Sequence, residues 1–577
     1  MLTALIALSA PASAHFTTNP CTSTVRGTTV YYFDRNSFTR TRNGTKQYPW
    51  NGLAESYLQI VRATTGKVAV CLSGDFNQNL DLMGSRASTL WVGTYKAAAE
   101  VGAGGNNAVY FSGTPHVQMV DVDVQGEFRA FGVPALEVRD LTVDSQQYYT
   151  LDTYSVPQVS ISNTTLLSSY STGTSLYIRN SDDLTVSSTT IQSMGDTALG
   201  IYTYLGGDVT LADLTVEGNR AFYLRGDGTL LADGIIVDSD LANRSFYANG
   251  FSSASLSNAS FTSTATDSTG YAMVQMDGGG AVSLDQVLID GGSGTWWTGV
   301  YASGSQIDVT DISMDVAASR SGLYLLSDQV RIDGGEVRAT GGYSMVETNG
   351  SSSEVVGLDI SGTMQVGIDQ TGDYGSATVE NNILSGYTQV GIRIDKIGGS
   401  VNAHRNQLRG TANTGLALHS TLSQAAVSHN SFYGHSYGIN NETDADITFN
   451  TFVNNTNGVW VSGGGSQTGN LFIGNQIALV GSTGALQTPS NWNFFDGTVA
   501  TDFNTGVDYD LPAWQALTGN DADSRNSGSV GFIDGLGRDP HLYCPATALQ
   551  NGVPAGRVDI DGVYNPAWSM MGADECP

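Results

Sequence analysis

The sequence predicts an all-β fold, a single right-handed parallel β-helix of about 15 or more turns, and three observations predict it. An eight-residue unit of alternating apolar and polar residues returns along the chain: ATVENNIL ends at Leu384, VNAHRNQL at Leu408 and AAVSHNSF at Phe432. The return is regular, from 20 residues (Phe432 to Phe452) to 28 (Phe261 to Ile289). In the three units quoted, the sixth place is always asparagine: Asn382, Asn406 and Asn430. Alternation is the period of a strand, and a fixed return to the same register is the mark of a solenoid.

The units end at Val143, Leu166, Ile191, Val216, Val237, Phe261, Ile289, Met314, Val337, Ile360, Leu384, Leu408, Phe432, Phe452 and Ile473. They are rich in Val, Ile, Thr and Leu, which suit strands. Gly, Ser, Asn and Asp between them suit corners. A second short apolar stretch follows in most turns, such as SLYI at 175–178, AFYL at 221–224 and VGIRI at 390–394. Each turn therefore holds at least two strands, and no long 3.6-periodic run competes for a helix. Parallel crossovers are right-handed, which sets the hand. Asn382, Asn406 and Asn430, continued by Asn450 and Asn470, form a corner ladder whose amides satisfy buried turn groups.

Open ends of such a stack need covering. LAESYLQIVRATTG, residues 53–66, places Leu53, Tyr57, Leu58, Ile60 and Val61 on one helical face and reads as the N-terminal plug. Beyond residue 490 the period fades into a tail with Trp492, Trp514 and Trp568, read as the irregular C-terminal cap. The expected organisation is a leader at 1–14, cap and first turns at 15–110, the β-helix at 111–490 and the closing cap at 491–577. The leader, MLTALIALSAPASA, has a short apolar run and a small-x-small site at Ala12-Ser13-Ala14, the pattern of a signal peptide. A secreted, extracellular or cell-surface protein is expected. Four cysteines fit export and leave three pairings open. Local pairing, Cys21 with Cys71 and Cys544 with Cys576, would staple the two ends.

The chain has 577 residues, with 25 basic against 54 acidic and a net charge of −29. This balance disfavours nucleic acid and anionic membranes as partners. No later segment reaches the 18 or so apolar residues that suggest a spanning helix, so no membrane insertion is expected.

The closing segment carries the most specific motif. LPAWQALTGNDADS at 511–524 is followed by VDIDGVYNPAWSMMGADE at 558–575. The whole plan resembles the pectin-lyase-like superfamily of right-handed β-helix proteins, and this segment resembles the end of secreted bacterial "choice-of-anchor Q" proteins. Those commonly show W-x-x-x-T-G-x-D-x-x-S, then D-x-D-G-x-x-R and D-x-G-A-x-E. Trp514, Thr518, Gly519, Asp521 and Ser524 match the first part, and Asp559, Asp561, Gly562, Gly572, Ala573 and Glu575 the rest. Asn565 stands where Arg is usual and Met570 where Asp is usual. The resemblance informs fold more than activity.

Enzymes on this fold resemble polysaccharide lyases or glycoside hydrolases. The hydrolase pattern is absent; Asp182-Asp183, with Asp196 a corner away, reads as a solvated corner. A lyase needs a base and a neutralised uronate. The one basic concentration, GIRIDKIGGSVNAHRNQLRG at 391–410, offers Lys396 as base with Arg405 or His404 as partner. Asp369, Asp373, Glu380 and Asp395 are the residues that could hold Ca²⁺, although no calcium loop is present. A different reading rests on aromatics. Trp296-Trp297 and Tyr148-Tyr149 offer flat rings to sugars, and one Trp of the pair should face outward. The preferred expectation is a non-catalytic β-helix that binds polysaccharide or a cell-surface glycan; the alternative is a cation-dependent lyase acting on an anionic polysaccharide.

Overall fold

The eighth residue of each unit points inward and stacks on its counterpart one turn away. The computed structural model describes residues 18–526 apart from 40, 104–106, 114, 195–198, 219, 240–243, 264–270, 420–421 and 483, together with Arg557–Val558 and Tyr564–Asn565. The chain divides into two units, Met1–Ala254 and Ser255–Pro577. Each is a β-solenoid of parallel strands from successive turns, with about 17 turns over the two. In the first unit Val143, Leu166, Ile191, Val216 and Val237 meet in consecutive parallel pairings. In the second, Ile360, Leu384, Leu408, Phe432 and Phe452 do the same. All ten are buried.

One unit sits a residue away from its expected place. Phe472, not Ile473, pairs with Phe452, so the last unit is GSQTGNLF. That register keeps Asn470 sixth, in line with Asn450.

The bend inside each unit is made by its fifth residue. From Asp140 (φ 57°) through Asn258 (φ 49°) to Gly469 (φ 71°), every fifth residue is left-handed. Gly, Asn and Asp tolerate this conformation. Ser188, Gln286, Arg405, His429 and Phe449 hold it too, at a cost of about 1 kcal/mol each, and stay there because the flanking strands are paired on both sides.

In the second unit the core changes character. Phe432, Phe452, Phe472 and Phe495 stack face to face, with centroids 5.1, 4.7 and 5.3 Å apart. Room for them comes from a facing column of glycines. A Cβ on Gly438 would lie 2.6 Å from Phe452 Cδ1 and 2.6 Å from the Gly458 oxygen, closer than atoms pack in an interior.

A helix forms over Glu55–Ala63 and buries Leu58 and Val61. Ile60 is exposed instead, because at 3.6 residues per turn it lies nearly opposite Leu58. A strand that the sequence reading passed over, Thr28–Asp34, pairs in parallel with Gly66–Phe76. Cys21 and Cys71 form a disulfide. Cys544 and Cys576, the leader, Asp196, Trp568 and most of the second motif lie outside the described residues.

Candidate functional site

The asparagine corner is an interior hydrogen-bond ladder. Asn382, Asn406, Asn430, Asn450 and Asn470 are all buried. The amide of each donates to the side-chain oxygen of the next, as Asn382 Nδ2 does to Asn406 Oδ1 at 2.9 Å and Asn406 Nδ2 to Asn430 Oδ1 at 2.9 Å. The same oxygens accept the backbone N–H of the preceding Asn. The column runs on to Asn493. A second, shorter column joins His435, Asn455 and Asn475. Burial pulls the His435 imidazole down to about 4, so it stays neutral and hydrogen-bonds Tyr387. These groups are enclosed and serve the fold.

The basic segment does not assemble a lyase centre. Lys396 is 0 % exposed, and its amine donates to the Gly350 carbonyl. It shares inward parity with Ile392 and Ile394, so its stem lies in the core and its head closes a corner. An enclosed amine cannot abstract a proton from a polymer, and Lys396 is corrected from base to structural clip. His404 and Arg405 occupy another column, where His404 is in register with Glu380 and Ser428. His404 Nδ1 meets Ser428 Oγ at 2.7 Å. Arg405 pairs with Glu380 at 2.6 Å. Burial, helped by Arg405, lowers the His404 pKa.

The proposed calcium ligands do not converge. Asp369 is clasped by Arg393 at 2.6 and 2.8 Å, and burial raises its pKa against that pull. Glu380 is held by Arg405, and Asp373 and Asp395 pair with Ile397 and Thr371 across the strands. Among the described residues, no three carboxylate, imidazole or thiolate groups gather as a metal site requires.

The aromatic expectation is corrected in part. Trp296 is 0 % exposed, with its indole N–H on the Gly291 carbonyl at 3.3 Å; it fills core and cannot stack on a sugar. Trp297 faces outward in a self-paired cluster. Arg320 lies 5.2 Å over its ring and 4.0 Å over that of Tyr324, and forks onto Glu347.

In the first unit the outward face carries a tyrosine column. Tyr177, Tyr202, Tyr223 and Tyr247 are in register on successive turns, and Tyr149 stacks on Tyr177 at 4.5 Å. Centroids along the column are 4.5 to 5.0 Å apart, so most ring faces are taken by neighbouring rings. Burial and the neighbouring Tyr177 raise the Tyr149 phenol to about 12. Tyr148 is exposed but packs edge-on against Tyr149 and Tyr170.

Two residues along each strand lies a second column: Tyr154, Arg179, Tyr204, Arg225 and Asn249. Beside it opens a cleft of about 740 Å³, lined by Asn180, Asp182, Tyr204, Arg225, Asp227 and Asn249 over a floor that includes Gly206, Gly226 and Gly250. Glycine is required at the tight corners; a Cβ on Gly207 would meet the Asp182 carbonyl at 1.7 Å. Tyr204 is 57 % exposed. The side chains of Asn180, Asp182, Tyr204 and Asp227 make no hydrogen bond or ion pair with any described residue. The Arg320–Glu347 and Arg393–Asp369 pairs are the reverse case, closed on themselves. The sequence reading touched this cleft only at Asp182, which it took for a solvated corner. Its signal was there, a Gly- and Asp-rich corner recurring after the second strand in LGGD at 205–208 and RGDG at 225–228.

A family model described as "Right handed beta helix region" matches residues 272–432 and 321–477. Residues 272–477 are a right-handed β-helix region. No curated protein matches the chain.

Proposed function

We propose that this protein is a secreted, non-catalytic glycan-binding β-helix whose contact surface is the Tyr204 cleft. One observation carries the reading: in a groove that crosses successive turns, the side chains of Asn180, Asp182, Tyr204 and Asp227 have no hydrogen-bond or ion-pair partner among the described residues. Carboxylate, amide and phenol groups in that state can turn to sugar hydroxyls without breaking a hydrogen bond to described residues, giving up bound water and side-chain freedom alone. The exposed Tyr204 ring offers a face to a sugar ring. Export is supported by the signal-like leader, by the Cys21–Cys71 bridge and by the resemblance of the closing segment to choice-of-anchor Q proteins of the pectin-lyase-like superfamily. The uronate-lyase alternative loses its base with the burial of Lys396.

The test is affinity electrophoresis of the purified chain through a panel of neutral and anionic polysaccharides. Retardation by at least one glycan, lost in Tyr204→Ala and Asp227→Ala with unchanged melting, supports the reading. No retardation in any gel overturns it. Release of reducing or unsaturated ends overturns its non-catalytic part.

A further inference from the structure

The cleft has a direction, which bears on the chemistry of its ligand. Arg179, Tyr204, Arg225 and Asn249 are cross-strand partners on four successive turns. Successive strands lie about 4.8 Å apart, so the four positions cover roughly 14 Å along the stack. Of this column, Tyr204, Arg225 and Asn249 line the cleft, while Arg179 lies outside it, over the rings of Tyr154 and Tyr177 and beside Asp152. An aromatic face and a cationic edge therefore stand on adjacent turns of the cleft, about 4.8 Å apart.

We propose that the cleft binds a neutral, extended, β-1,4-linked glycan lying along the stack of strands, with one disaccharide to every two turns. This rests on the glycan-binding reading above and adds its substrate class. In such a chain each ring advances by nearly one strand spacing, and successive rings are turned over. A ring face laid on Tyr204 then goes with a hydroxyl edge turned to Arg225 one turn on. An axially linked chain coils and leaves that register within a few rings.

Charge selects against acidic polymers. Asp182 and Asp227 line the cleft against the single cation Arg225, on a chain of net charge −29. A uronate would bring one more negative charge with each ring. Neutral hydroxyls suit the same lining: Asp182 and Asp227 accept, Arg225 donates, and Asn180 and Asn249 do both.

The floor fits this orientation. Gly206, Gly226 and Gly250 recur on consecutive turns beside the column. They leave a groove parallel to the stack and not a pit.

The experiment is titration calorimetry of the full chain with three ladders: β-1,4-linked glucose oligomers from dimer to hexamer, their α-1,4-linked isomers, and galacturonate oligomers. For the β-1,4 ladder, affinity is expected to rise about tenfold or more from dimer to tetramer and then level off, because the cleft is then full. Tyr204→Ala, at an exposed position, is expected to remove most of that rise and to leave melting unchanged. Equal binding of the α-linked isomers, tighter binding of the uronates or affinity independent of length each overturns this proposal. Those outcomes leave the glycan-binding reading standing. Failure of every ladder and every gel in the polysaccharide panel overturns both.

Discussion

The indole Nε1 of Trp514 donates to Asp521 Oδ2 at 2.8 Å. The other oxygen of the same carboxylate accepts from Asn493 Nδ2 at 2.9 Å and from Ser524 Oγ. Asn493 is the last rung of the asparagine ladder, so this pair ends the ladder on a charge in place of an open amide. The helix Leu511–Thr518 brings Trp514 to that point; Asp510 caps its start, and Gly519 (φ 70°) turns the chain back. The spacing W-x-x-x-T-G-x-D-x-x-S is thereby explained as one hydrogen-bonded knot.

Asp521→Ala should consequently cost about 3 kcal/mol, since it strands buried donors that now reach a charged acceptor. Urea denaturation followed by tryptophan fluorescence would show it. A loss below about 0.5 kcal/mol, the usual range for an exposed site, would mean that the knot is ornamental.

Asn406→Leu attacks the ladder in its middle. It removes the acceptor used by the Asn382 backbone N–H and side chain, and the donor used by Val379 O and Asn430 Oδ1. Several buried polar groups lose partners at once, at about 1–3 kcal/mol for each left unsatisfied. The expected loss is at least about 3 kcal/mol, with earlier hydrogen exchange at the Asn382 backbone N–H, which donates to Asn406 Oδ1. Unchanged melting would contradict the ladder's role.

Much of this fold was legible because a solenoid writes its geometry once per turn. The eighth-place apolar residues and the sixth-place asparagines gave turn length, strand type and corner. The fifth-place bend was less visible: its preference for Gly, Asn and Asp is shared with every turn, and Arg405, His429 and Phe449 break it. Lys396 and Trp296 were misplaced for a reason that parity would have caught, since Lys396 falls in step with Ile392 and Ile394, and Trp296 with Val300. The cleft was legible only in fragments, as Asp182 and the recurring Gly- and Asp-rich corners. Its lining comes from four turns, and only the fold shows that Asn180, Tyr204, Arg225 and Asn249 adjoin.

The two adjacent tryptophans give a sharp contrast. Trp296→Ala should destabilise by about 3–5 kcal/mol, as large-to-small changes in a packed core do. Trp297→Ala removes a half-buried ring from a surface cluster and should cost about 1 kcal/mol. Paired denaturation curves decide it, and equal losses would show that the strand's two faces have been read wrongly.

Lys396 makes stability depend on pH in an uncommon direction. Burial lowers its ammonium pKa to about 8, whereas in the unfolded chain it titrates near 10.4, the usual value for about any free lysine. Below both values the two states are protonated, and the folded state bears the full cost of an enclosed charge. Between them the folded amine has released its proton while the unfolded one keeps it, so the unfolded state binds more protons and stability rises with pH. Above the unfolded value both are neutral and the gain is complete. The difference in unfolding free energy between the natural protein and Lys396→Met should therefore move in favour of the natural protein from pH 8 to 10, by an amount on the order of 1–3 kcal/mol. Taking that difference cancels the tyrosines that titrate in the same range. Urea curves of both proteins at pH 7, 8, 9 and 10 measure it, and a flat difference would place the amine in water and reopen its candidacy as a base.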